Sequence, residues 1–116
     1  MAGRLPNELK NRAKRFAYDA LDVFEGLLKQ NEIARIVGRQ MFRSGTAVAA
    51  HLREASQARS RAEFLSKMGG AAMEVDECAM WFEMLRDKCG ILHLDGIIQE
   101  AYELPAIFNA IIRNSK

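Results

Sequence analysis

The sequence predicts an all-α protein, an antiparallel up-down-up-down four-helix bundle assembled as a homo-oligomer. Three observations carry that expectation. Phe64, Met68, Ala71, Val75, Cys78, Phe82, Leu85 and Cys89 step by four and three residues without a miss, so on an α-helix they share one narrow seam. Three other segments read the same way, and the turns joining them are short enough to set neighbouring helices antiparallel. At 116 residues the chain is a single domain, residues 1–116, large enough for one core without staples.

Helix one is expected from about Asn7 to Leu28, with a seam of Leu9, Ala13, Phe16, Ala20, Val23 and Leu27. Ala17, Leu21, Phe24 and Leu28 widen it, Pro6 and Asn7 supply the start signal, and Lys29-Gln30-Asn31 forms the turn. Helix two runs from about Glu32 to Ala55 along Ile33, Val37, Met41, Ser44, Val48, Leu52 and Ala55, with His51 at the seam's edge. Ser60-Arg61-Ala62-Glu63 is a capping box that starts helix three: the Ser60 hydroxyl accepts from the Glu63 N–H while Glu63 reaches back. Gly90 ends that helix as a left-handed cap. Asp95 is expected to cap helix four, whose seam is Ile98, Ala101, Leu104 or Pro105, Phe108 and Ile111 or Ile112. Pro105 removes one backbone hydrogen bond, so a kink is expected near residues 101–105. Gly69-Gly70 costs roughly 0.5–1 kcal/mol per glycine in a helix interior. Close approach of the small-residue stretch of helix two, Ser44-Gly45-Thr46-Ala47, is the expected compensation.

Composition excludes several classes. Half the residues are apolar and only two are proline, which is not the composition of a disordered chain. No apolar run approaches the roughly 18 residues that span a bilayer, and the opening Met1-Ala2-Gly3-Arg4-Leu5-Pro6 has no apolar leader. A cytoplasmic protein without membrane or small-molecule partners is expected. Cys78 and Cys89 stand about 16 Å apart along a helix axis, too far for a disulfide. Reduced core thiols are the expected reading.

The chain offers little chemistry. Neither His51 nor His93 follows a glutamate by three positions, so the Glu-x-x-His pattern of a di-metal bundle is missing. Glu74-x-x-Glu77 and Glu100-x-x-Glu103 lack the histidines. Two cysteines on one face cannot make a four-ligand zinc cage, and phosphate loops and nucleophile elbows are missing. No cofactor and no enzyme activity are expected.

Charge and leftover apolar surface are more informative. Residues 1–67 carry a balance of +6 and residues 68–116 a balance of −4, so helices one and two are basic and the others acidic. Arg35, Arg39 and Arg43, with Arg53 on nearly the same side, lie opposite the helix-two seam; Arg59, Arg61, Lys10 and Lys14 extend the patch. Such clustering suits a nucleic-acid backbone, and the blander reading is a solvated face with scattered ion pairs. Met73, Met80 and Met84 sit opposite the helix-three seam. A helix apolar on both faces predicts a subunit contact there.

Several motifs occur in order at separations that resemble a known family. They are Gln40-Met41-Phe42-Arg43-Ser44-Gly45-Thr46-Ala47-Val48, then Arg53-Glu54-Ala55, then Ala58-Arg59-Ser60-Arg61-Ala62-Glu63-Phe64, then Ala71-Ala72-Met73-Glu74-Val75-Asp76-Glu77 with Trp81. The pattern is similar to the bacterial four helix bundle proteins, also called 23S rRNA intervening-sequence proteins, and covers most of the chain. His51 stands where the family has Asn, and Ala47 where it has Ser. The resemblance implies a homopentameric assembly. A related branch, the accessory variability proteins of diversity-generating retroelements, binds nucleic acid and partners a reverse transcriptase. Arg43, Ser44, Glu54, Glu74 and Glu77 match the family's polar positions; with His51 they are expected to form a structural network. The leading functional expectation is therefore a non-enzymatic oligomer that binds RNA or DNA through helices one and two. The alternative is a protein-interaction scaffold with no nucleic-acid role.

Overall fold

The computed structural model describes residues 5–116, so residues 1–4 of the leader reading lie outside the described residues. It has four helices: α1 Asn7–Leu27, α2 Glu32–Ser56, α3 Arg61–Asp87 and α4 Asp95–Asn114. Among the described residues there is no strand. The molecule measures 47 × 21 × 19 Å, the shape of rods laid along one axis. Cross-helix contacts establish their directions. Ala20 faces Gly45 while Leu27 faces Gly38; Cys78 meets Met41 while Lys67 meets Glu54; Glu83 meets Tyr102 while Arg86 meets Asp95. In each pair one number rises as the other falls, so successive helices run antiparallel, as expected. Backbone approach is most extensive between α2 and α3 and slightest between α1 and α4.

Helix ends follow local chemistry. The Asn31 side chain accepts from the Ala34 N–H at 3.0 Å, a cap hidden in what reads as turn sequence. Ser60 accepts from the Glu63 N–H at 3.1 Å, as the capping box requires. The returning Glu63 carboxylate receives the Arg59 N–H at 3.2 Å instead of that of Ser60. Gly90 takes φ 69, and beyond it the Ile91 N–H turns back to the Leu85 carbonyl at 3.0 Å. Because α3 ends at Asp87, Cys89 lies off the helix and is only part-buried. Asp95 is not the cap of α4. Leu94 holds that position without a side-chain bond, and Asp95 is the first helical residue, where a carboxylate complements the helix dipole. The helix runs unbroken through Pro105.

The predicted seams largely become the core. Every predicted α3 seam position from Phe64 to Leu85 is buried, as are Leu9, Ala13, Phe16 and Ala20 of α1 and Ile98, Ala101, Leu104 and Phe108 of α4. Phe16 and Phe82 meet edge to face at 6.3 Å in the middle of the bundle, the arrangement that aromatic quadrupoles favour. One phase error stands out. Ile33 is exposed, and the buried line of α2 begins at Ala34 and Gly38. At Gly38 a Cβ would stand 2.6 Å from Leu27 and 3.3 Å from Phe24, so the end of α1 presses on the thin side of α2.

The glycines of α3 divide. A Cβ on Gly70 would come within 3.0 Å of the His51 ring, so helix two does approach there, by a side chain. Gly69 has nothing within 4 Å, and close packing does not explain it. At Gly45 a Cβ would stand 2.9 Å from the Ala20 Cβ, an atom fixed to its own backbone, and 3.2 Å from the Cys78 Sγ. The Ala20 Cβ cannot move without its helix. Gly45→Ala is therefore expected to destabilise by about 1–3 kcal/mol despite its better helix propensity, whereas Gly69→Ala stabilises by about 0.5–1 kcal/mol. Urea unfolding of the two variants measures both, and equal shifts of the same sign would contradict this packing.

Candidate nucleic-acid interface

With one flank of α2 against α1 and the other against α3, a single face of α2 is left to solvent. Arg35 and Arg53 are five helical turns apart and so point the same way, and Arg39 is one turn from Arg35. All three are exposed. No carboxylate among the described residues lies within salt-bridge distance of them, nor of Arg61, Lys10 or Lys14.

Arg43 and Arg59 differ. Arg43 lies on the side of its helix nearer α3, and its guanidinium donates to Glu77 Oε2 at 3.1 Å. The same oxygen lies 3.5 Å from the Trp81 indole N–H. Arg59 pairs with Glu63 at 3.5 Å beside the α3 cap. Their charges are offset inside the chain.

Lys10, Lys14 and Arg53 come together. They border a groove of about 600 Å³ between the outer faces of α1 and α2. Asn7, Asn11, Thr46 and Gln57 and the apolar Ala17, Leu21, Ala49 and Ala50 also line it, and no carboxylate does. Tyr18 is also part of the wall and is 55% exposed, with the Lys14 ammonium 5.9 Å from its ring centre. The sequence reading missed Tyr18 and the asparagines. Their signal was the spacing of Asn7, Lys10, Asn11, Lys14 and Tyr18, which marks one face of α1.

The opposite side of α1 contrasts with this. A cavity of about 650 Å³ toward α4 sets Arg12 and Arg15 among Asp19, Asp22 and Glu100. Arg12 donates to both Glu100 oxygens at 2.6 and 2.7 Å and to Glu103 at 3.0 Å, a bidentate clamp joining the first and last helices. Burial pushes the Asp19 carboxyl above its ordinary value, and the neighbouring Asp22 adds to that rise. Arg12 here is neutralised, and carboxylates surround Arg15 in the lining.

The residues expected to form a polar network fall into two groups, and the buried His51 Nδ1 makes no hydrogen bond in either. One is Arg43–Glu77–Trp81. In the other, His51 sits 3.6 Å from Glu54 and 3.9 Å from Glu74, and Lys67 closes on Glu54 at 3.2 Å. Ser44 joins neither: it is fully buried and its hydroxyl donates to the carbonyls of Gln40 and Met41, both at 3.1 Å. It satisfies itself within its own helix. Cys78 Sγ donates to the Met41 carbonyl at 3.3 Å, and burial pushes its thiol up to about 12, far from the thiolate that a nucleophile needs. Met73, Met80 and Met84 are exposed along α3, Met73 to 75%. No helix among the described residues is long and apolar enough to cross a membrane.

The chain matches the family model described as 23S rRNA-intervening sequence protein over residues 7–109. Among solved structures it is similar to a protein of unknown function from the S23 ribosomal protein family of Bacteroides thetaiotaomicron VPI-5482. The two share 29% identity with a TM-score of 0.84, over 90% of this chain and 98% of that one. No curated protein matches the chain.

Proposed function

The chain belongs to the 23S rRNA-intervening sequence protein family, and we propose that it is a non-enzymatic, oligomeric RNA-binding protein that uses the basic faces of α1 and α2. One observation carries the reading: among the described residues Lys10, Lys14, Arg35, Arg39 and Arg53 have no carboxylate partner and gather on the outer faces of those two helices, whereas Arg12, Lys67 and Arg86 elsewhere are paired. A phosphate backbone rewards such a set by releasing its condensed counterions. Arg35, Arg39, Arg53, Arg61, Lys10 and Lys14 are the contacts. Arg43 and Arg59, offset by Glu77 and Glu63, hold the α2–α3 corner in shape. Glu54, Glu74 and His51 are read as structural, since no activated nucleophile accompanies them.

The exposed methionines support the oligomeric part. Met73, Met80 and Met84 form an apolar strip on a helix whose other side is already core, and Tyr102 of α4, bonded to Glu83 of that helix, is exposed too. A second copy of the chain covers this strip in the proposed assembly.

Filter binding of RNA across a salt series tests the first part. Retention at low salt is expected, with log K falling against log salt by about 0.7 to 0.9 per phosphate neutralised. Arg35→Ala combined with Arg39→Ala flattens the slope by about 1.5. Absence of retention by the unaltered protein at low salt would refute RNA binding. Light scattering at micromolar concentration tests the second part: a multiple of 13.1 kDa is expected, and the single-chain mass would refute the oligomer.

A further inference from the structure

We infer that the groove between α1 and α2 is a binding site for single-stranded RNA, in which Tyr18 stacks on a base while Lys10, Lys14 and Arg53 hold the flanking phosphates. The inference rests on the RNA-binding reading above and adds to it a location, a strand state and a base-contacting residue.

The composition of the groove decides between single strand and duplex. A duplex presents phosphates outward and keeps its base faces stacked inside, so it could use the three cations but not an apolar lining. Here the three cations share the lining with alanines and Leu21, and a half-exposed aromatic ring stands beside them. Cationic walls plus an aromatic platform are what an unstacked strand requires, because every base has a π-face whatever its identity. Tyr18 has the right surroundings for this. Lys14 lies over one face of its ring, so a base stacks on the other face, with a positive charge close to the phosphate that follows. Asn7 and Asn11 of the lining supply amide donors and acceptors for a ribose 2′-hydroxyl, the group that distinguishes RNA from DNA.

Charge separates this groove from the cavity on the other side of α1. The two are similar in volume, yet the second carries Asp19, Asp22 and Glu100 and would repel a phosphate. Only the first combines positive charge with an apolar lining. It is also continuous with the arginine stripe, since Thr46 and Arg53 of the groove and Arg35 and Arg39 beyond it follow one line along α2. A strand leaving the groove toward Arg39 meets a cation about 21 Å from Arg53 along the axis.

The test is fluorescence anisotropy with a labelled uridine oligoribonucleotide, its deoxy counterpart and an RNA duplex of equal length, using the full chain. The single RNA strand is expected to bind tightest. Tyr18→Ala should weaken it roughly 5- to 100-fold, and Tyr18→Phe should restore most of that. Lys10→Ala, Lys14→Ala and Arg53→Ala together should lower the salt slope by about 2. These side chains face solvent or the groove, so circular dichroism should stay at the parent value in each variant. Unchanged affinity in Tyr18→Ala, with a loss in the Arg35→Ala, Arg39→Ala variant, would overturn the groove and leave the RNA reading standing. Tighter binding of the duplex or the deoxy strand would also overturn it, as would equal competition by a polyglutamate of matched charge. Failure of the parent to bind any RNA would remove both readings.

Discussion

Gly45 is the point on which the bundle closes. At that position α2 lies against the Ala20 side of α1 and the Cys78 side of α3, and the space for a single methyl group is already taken from both directions. Ser44 beside it is buried and hydrogen-bonded to its own helix, and Met41, Val48 and Leu52 fill the rest of the seam. The close approach orients the whole of α2. With two flanks committed, Arg43 and Glu54 turn to partners on α3, and the face left to solvent carries Arg35, Arg39 and Arg53.

Charge is distributed by the same geometry. The acidic excess of the second half of the chain is largely used internally, in Arg12–Glu100, Arg43–Glu77 and Arg86 with Asp87 and Asp95. Most of these pairs are substantially exposed, and exposed ion pairs add little stability; their effect here is to define where charge is cancelled. The basic excess of the first half survives on the outer faces of α1 and α2. A chain of nearly balanced net charge, +2, thus carries a strongly one-sided field. That local excess, rather than the total, is what a polyanion meets.

Much of this architecture was legible in the amino-acid order. The seam from Phe64 to Leu85 in α3, the Ser60 cap and the short turns pointed to four antiparallel helices, and the family motifs from Gln40 to Glu77 agreed. What periodicity could not supply was the identity of the facing atoms. Ile33 fits the seam by spacing, yet Ala34 and Gly38 are buried because α1 ends against them. The pair Gly69-Gly70 reads as one feature, but only Gly70 has His51 against it. Arg43 belongs to the arginine stripe by spacing and to Glu77 by geometry, since its position on the helix turns it toward α3. The groove itself was invisible because it is shared: Lys10 and Lys14 come from one helix and Arg53 from another, and only the tertiary fold brings them to one rim.

The dependence of the bundle on a clamped second helix can be measured by amide hydrogen exchange of the unaltered protein. If α2 is held from both flanks, its amides around residues 41–48 and those facing them in α3 around 71–82 exchange slowest, close to the global unfolding limit. The outer turns of α1 and α4 exchange earlier. Central α2 amides that exchange as fast as those outer turns would show that the helix is not clamped, and would contradict the account.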